Sequence, residues 1–139
     1  MTLLSGPEDY VVVDTDLWSY LFKNDNRAEP YLPFLDRKRL DISFMTLAEL
    51  YQWANIANWG IKRQQEMEFA IKKQYEIHWV NTKLCQVWAE VKCESRKLGR
   101  PIESSDAWIA ATAITCKVPL VTNNRKDFEH LTRLQLLTP

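Results

Sequence analysis

Short runs of consecutive apolar residues alternate along this chain with longer stretches whose apolar positions recur every three or four residues. Tyr10–Val13 is the first such run, aromatic and β-branched, too short for a helix and suited to a strand buried on both faces. Residues 40–44, 76–80, 118–122 and 134–137 are further short strand candidates, of mixed apolar and polar residues. Between them, residues 17–22, 47–59, 61–75 and 107–116 predict helices. A further helix starts at Asn81 or Thr82 and turns Leu84, Val87, Trp88, Val91 and Leu98 to one side. Residues 24–33 carry Pro30 and Pro33 and read as a polar turn. Strands that are continuous apolar runs separated by helices build a parallel sheet covered on both faces. The expected fold is a three-layer α/β domain. Its central, mainly parallel sheet has four or five strands with helices on both faces, and residues 1–139 form a single domain. No repeat, low-complexity tract or linker interrupts the pattern.

Local signals refine the element ends. Thr46 with Glu49 three residues on has the spacing of a capping box. Gly60 suits a helix C-cap, and Ser104 or Ser105 can cap the helix whose first turn holds Asp106. Residues 107–116 are apolar nearly all round, apart from Thr112 and Thr115, so this helix is expected to be buried on most faces. Tyr51, Trp53 and Trp59 lie close together on the helical pair 47–59 and 61–75. Core packing accounts for some of these rings and a partner surface for the remainder.

Composition removes several function classes. Apolar residues make up 46% and charged residues 26% of the 139, enough for a packed core and too ordered a balance for a disordered chain. Eighteen basic residues against 18 acidic ones give no global attraction to nucleic acid, so any such surface must be local. Cys85, Cys93 and Cys116 form no CxxC pair and read as reduced, mostly buried side chains rather than a disulfide frame or zinc site. Residues 1–9 include Glu8 and Asp9 and carry no basic-plus-apolar signal, and no apolar run reaches the roughly 18 residues of a membrane span. A cytoplasmic location is expected, with no membrane contact.

The candidate chemistry lies where strands hand over to helices. Asp14 follows the first strand, Glu49 sits in the helix after the second, Asp106 opens the apolar helix and Asp127 follows the 118–122 strand. Each has a plain structural role available: Asp14 as an N-cap, Glu49 in the capping box, Asp106 against a helix dipole. Together they suggest something else, because ligands in open α/β sheets bind beyond the C-terminal strand ends. Several carboxylates in one cleft repel each other unless a cation neutralises them, and hard oxygen donors suit Mg²⁺ or Mn²⁺. No His or Cys is spaced to hold zinc, and His78 and His130 read as ordinary structural or surface residues. A metal held by carboxylates activates water and screens a phosphodiester, and no Ser-His or Cys-His pairing offers a protein nucleophile. Lys92, Arg96 and Lys97, with Arg100 just beyond, form either a solvated helix face or a phosphate-binding strip beside Asp106.

The segment DAWIAATA followed by PLVTNNRKDF resembles the C-terminal half of a PIN domain, most closely the VapC-type toxins of toxin–antitoxin pairs. The resemblance runs from Val11 to Phe128 and is concentrated in the last third. It implies an Mg²⁺- or Mn²⁺-dependent endoribonuclease in which Asp14 and Asp106 bind metal and Glu49 is the third acid. Asp127 completes the set, and Thr122 and Asn124 are polar supports. Asp16 stands where such chains usually carry Asn, Ser or another small polar residue, and is read as a neighbour rather than a ligand. The resemblance also implies an RNA substrate, a cognate VapB-type antitoxin and a homodimer whose groove takes an antitoxin segment. Two other readings stay open: a degenerate PIN domain that only binds RNA or a partner, and a haloacid-dehalogenase-type phosphatase using Asp14 of Asp14-Thr15-Asp16 as nucleophile. Nothing in the chain is a readable base code for a particular RNA.

Overall fold

The computed structural model describes residues 9–139, so the charge pattern read at residues 1–8 lies outside the described residues. Strand β1, Tyr10–Val13, leads into helix α1, Thr15–Phe22; a 3₁₀ helix, Asn26–Tyr31, and a short α2, Leu32–Leu35, follow. Strand β2, Arg39–Ser43, passes directly into α3, Phe44–Ile56, then α4, Ile61–Gln74, and β3, Tyr75–His78. Helices α5, Thr82–Lys97, and α6, Ser104–Cys116, precede β4, Leu120–Val121, α7, Arg125–Phe128, and β5, Leu136–Leu137.

The five strands form one sheet in the order β3-β2-β1-β4-β5, every pairing parallel. Strand β1 sits in the middle and alternates its valines between the layers. Val12 packs with α5 and α6 against Leu84, Val87, Ile109 and Leu120. Val11 and Val13 pack the opposite way with Leu17, Trp18, Leu50, Met67 and Ile71. This is the three-layer arrangement expected, and it matters for function because the strand order reverses between β1 and β4. At such a reversal the two connections leave to opposite faces and open a crevice at the C-terminal strand ends.

The buried face of α6 is built of small residues: Ala107, Ala110, Ala111 and Ala113 are all at most 1% exposed. Thr112 returns its hydroxyl to the Trp108 carbonyl at 2.8 Å, so its buried oxygen is satisfied within the helix. The near-continuous apolar character of this segment is therefore realised as a central helix, close against α5 and the sheet.

Several local expectations are corrected. Ser43 caps α3, its hydroxyl accepting from the Met45 N–H at 3.0 Å, so the helix starts before Thr46 and the Thr46–Glu49 capping box does not form. Gly60 is the N-cap of α4; the end of α3 is turned instead by Asn58, at φ 59°. Helix α6 begins at Ser104 with Glu103 as its N-cap residue, so neither serine fills that position. Strand β3 ends at His78, leaving Trp79 62% and Val80 50% exposed, and Leu98 falls at the C-cap of α5 with 54% of its surface exposed. Cys85 and Cys93 are exposed and Cys116 half-buried, all three free thiols, which overturns the expectation of mostly buried cysteines. Trp53 and Trp59 pack partly into the core, while the exposed apolar side chains of the helical pair are Ile56, Ile61, Phe69 and Tyr51. No helix among the described residues is long and apolar enough to cross a membrane.

Candidate active site

Strand β1 delivers Asp14 to the crevice. Its backbone is extended, so it both closes the strand and caps α1, and Oδ1 accepts from the Leu17 N–H at 2.9 Å. Oδ2 accepts a short hydrogen bond from the Thr122 hydroxyl at the end of β4. Thr122 Oγ1 in turn accepts from the Asn124 N–H at 2.9 Å. Asp14 is 3% exposed, and this burial pushes its carboxyl up to about 7 despite the two hydrogen bonds, with the charges of Asp16 and Asp106 adding to the effect. The N-cap role and a site role thus coincide in one side chain.

Asp106 sits in the first turn of α6 and is pushed up to about 6, first by burial and then by the charges of Asp127, Glu49, Asp16 and Glu103. Glu49 projects from α3, where Oε1 accepts from the Thr15 hydroxyl at 2.7 Å; the Thr15 and Thr46 hydroxyls lie 2.9 Å apart. Burial, and then Asp16, hold the Glu49 carboxyl above its ordinary range. The residue given to a capping box by spacing alone is therefore held by α1 and turned toward the other acids.

Asp16 is the member that sequence reasoning undervalued. Its Oδ2 accepts from Asn124 Nδ2 at 2.8 Å, and its charge reaches Asp14, Glu49 and Asp106 alike. The signal was present in the D-x-D spacing, but placing both acids on the crevice required knowing that Asp14 is the N-cap of α1. Asn124 ties the cluster together through its side chain on Asp16 and its backbone on Thr122.

Asp127 and Asp106 line one cleft of about 310 Å³ together with Arg100, Lys126, Glu103 and His130. Of the basic residues on and after α5, Arg100 reaches this cleft, and its Nη2 donates to the Lys126 carbonyl at 2.8 Å. Lys92 spends its ammonium on the Ile102 carbonyl at 2.7 Å, while Arg96 and Lys97 stand exposed and outside the cleft. Lys126 was not anticipated as a neighbour of the acids. Of the histidines, His130 Nε2 lies 2.7 Å from Ser95 Oγ at the cleft wall, and His78 pairs with the buried Asp41.

Among the described residues, no three His, Cys, Asp or Glu side chains stand together as a ready-made ligand set. The acids are instead spread along the crevice, and burial, with the charge of neighbouring carboxylates added to it, makes Asp14 and Asp106 reluctant to ionise. All the donors are carboxylate oxygens. That chemistry fits a hard dication with part of its coordination filled by water, since Mg²⁺ retains several waters and needs few protein oxygens. It fits zinc poorly: among the described residues His130 is the one imidazole lining the cleft, its Nε2 lies against Ser95 Oγ, and no cysteine joins it there.

The PIN domain family matches residues 11–134. The Ribonuclease VapC1 of Haemophilus influenzae (strain R2866) is 32% identical over 129 residues, covering 89% of this chain and 93% of that protein. Among solved structures, VapBC2 from Rickettsia felis bound to a promoter DNA fragment superposes with a TM-score of 0.80 at 25% identity, over 92% of this chain and 97% of that one. VapBC-1 from nontypeable Haemophilus influenzae does so with a TM-score of 0.77 at 29% identity, over 93% and 97%. With a reversed-order parallel sheet, acids gathered at its C-terminal edge and a family match across nearly all the described residues, this chain belongs to the PIN domain family.

Proposed function

We propose that this chain is the endoribonuclease toxin of a VapBC-type pair, hydrolysing RNA phosphodiester bonds with Mg²⁺ or Mn²⁺. The observation that carries this reading is geometric: at the point where the strand order reverses, Thr122, Thr15 and Asn124 hold Asp14, Glu49 and Asp16, and Asp106 and Asp127 line one cleft. Asp14 and Asp106 would hold the metal, with Glu49 and Asp127 completing the acidic wall and Asp16 contributing charge. A dication bound there supplies an activated water and screens the phosphodiester. Thr122 and Leu17 fix the Asp14 carboxylate, Thr15 fixes Glu49 and Asn124 fixes Asp16, so the acids hold their positions without substrate. Arg100 and Lys126 stand on the flank of Asp106, where the phosphates of a bound strand would lie.

The alternatives are weaker. A phosphatase using Asp14 as nucleophile would carry Thr or Val two residues past Asp16, where this chain has Trp18, buried in the core. A binding-only PIN domain has no reason to keep Asp14 buried and Asp106 half-buried beside other acids, where ionisation is disfavoured. Purified protein should cut RNA with Mn²⁺ and not with EDTA, and Asp106→Asn should lose cleavage while keeping its melting temperature. Wild-type cleavage by Asp106→Asn would remove Asp106 from the site.

The partners follow from the same reading: RNA as substrate, a VapB-type antitoxin, and a second copy of the chain in a cytoplasmic complex. Ile56, Ile61 and Phe69 on α3 and α4 are 75%, 77% and 64% exposed, apolar surface that association would cover. A dimer is expected in sedimentation velocity at micromolar concentration, and Phe69→Glu is expected to shift it toward monomer. A wild-type monomer under those conditions would contradict the dimer.

A further inference from the structure

A second cleft, of about 610 Å³, adjoins the acids from another direction and is walled by Tyr20, Arg27, Tyr31, Thr122, Asn123 and Arg125. Thr122 is the link, because its hydroxyl is the one that donates to Asp14. Tyr31 lies close enough to Asp14 for that charge, after burial, to raise its hydroxyl above the usual range. The other ring is fixed in place: Asn123 Nδ2 donates to the Tyr20 hydroxyl at 3.3 Å, and the Arg27 guanidinium lies 4.2 Å from the Tyr20 ring centroid. Arg27 is itself steadied by Asp25 at 2.7 Å. The cleft thus combines two half-exposed aromatic rings with two arginines, and its wall residue Thr122 is hydrogen-bonded to Asp14.

We propose that this cleft holds one unstacked nucleotide of single-stranded RNA, its base against the Tyr31 ring and its backbone toward Arg27 and Arg125, next to the phosphate over the acids. This rests on the ribonuclease reading above and assigns the residues that receive one nucleotide of the strand. The volume lies in the range of sites that take a small-molecule-sized group. Aromatic rings recognise RNA through bases splayed out of a stack, and a continuous duplex offers no free base face. Stacking of this kind tolerates every base, so the cleft selects for strand form and not for sequence.

The test uses the full chain carrying Asp106→Asn, which removes turnover and some acid repulsion, with fluorescence anisotropy of a labelled single-stranded oligonucleotide. Adding Tyr31→Ala should weaken binding about 10-fold, from a stacking contribution of about 1–3 kcal/mol per base. Tyr31→Phe keeps the ring and should bind as the parent does. An abasic substitution, walked along the oligonucleotide, should cost the parent a similar factor at one position and cost Tyr31→Ala almost nothing there. Melting curves confirm that each variant is folded. Unchanged affinity in a folded Tyr31→Ala, or losses that simply add, would overturn the inference and leave the cleft to a protein segment. Because affinity is read without turnover, failure of the wild type to cut RNA would count against the ribonuclease reading and not against this cleft.

Discussion

Asp14→Asn is expected to abolish RNA cleavage and, without metal, to make the protein more stable above neutral pH. The loss of activity should be about 10³-fold or more, since a carboxylate-held dication supplies several kcal/mol of transition-state stabilisation. The gain in stability follows from burial. The Asp14 carboxyl rises from an ordinary 3.8 to about 7 in the fold, so the folded state favours its protonated form. A raised carboxyl costs nothing below its unfolded value and its full penalty above the folded one. Wild-type stability in EDTA should therefore fall as pH rises from about 4 through 7, by an amount on the order of 4 kcal/mol at most. Asparagine keeps the oxygen that accepts from the Leu17 N–H and lets Thr122 accept rather than donate, removing the penalty at a cost of about 1 kcal/mol in weaker hydrogen bonds. Thermal melts at pH 5 and pH 8 should show a variant that falls less steeply than wild type across this window, the raised Asp106 and Glu49 carboxyls still contributing. It should be about 2–3 kcal/mol more stable than wild type at the upper end. An Asp14 that served only as a helix cap would give the opposite result, a small loss at every pH and full activity.

The largest loss of stability is expected at Asp41, far from any catalytic role. This side chain is fully buried in β2 and accepts from Arg39 Nε and Nη2 at 2.8 Å each, and pairs with His78 Nε2 at 2.8 Å. Arg39 is braced by the Tyr10 ring at 3.7 Å, and His78 Nδ1 lies 3.4 Å from Cys116 Sγ, so the network ties β1, β2, β3 and the end of α6 together. Asp41→Ala removes three hydrogen bonds and leaves a void in β2, while the Arg39 and His78 side chains, 37% and 26% exposed, keep part of their solvation. The loss should be about 2–3 kcal/mol, a large share of a typical domain's stability. The pH signature differs in sign and window from that of Asp14. Asp41, and then Cys116, raise His78 from an ordinary 6.5 to about 10, so the pairing is fully stabilising below pH 6.5 and lost as pH rises through 10. Wild-type stability should decline across that alkaline window and Asp41→Asn should not, as chemical denaturation at pH 6 and pH 10 will show. Equal slopes in the two proteins would mean that the imidazole is neutral in the fold.

The parallel sheet and its two covering layers were legible because β1 is a continuous apolar run, suited to a strand buried on both faces, and further short strand segments alternate with long helical periodicities. Strand β2, with Arg39, Asp41 and Ser43 among its five residues, is the weaker signal. Asp14, Glu49, Asp106 and Asp127 could be marked because each follows such a segment or opens the apolar α6. What spacing could not supply was the partner of each side chain. Thr46 and Glu49 satisfy a capping rule in sequence, yet Ser43 starts the helix earlier, and Thr15, 34 positions away in the chain, takes Glu49. Asp16 looked peripheral because its partner, Asn124, lies 108 positions further on. The basic strip on α5 followed helical periodicity correctly, but periodicity is silent on where a helix stands relative to a crevice. Only Arg100, past the helix end, turns toward the acids. Long-range pairing by short polar side chains leaves no local trace, and this site is made almost wholly of it.

Titration of the protein with Mn²⁺, followed by electron paramagnetic resonance of the free ion, tests the proposed metal site at the acids most directly. Wild type should bind Mn²⁺ at a site that Asp106→Asn and Asp14→Asn each weaken by tenfold or more, while the exposed-surface variant Lys97→Ala leaves it unchanged. Equal Mn²⁺ binding by wild type and both acid variants would contradict the site drawn here.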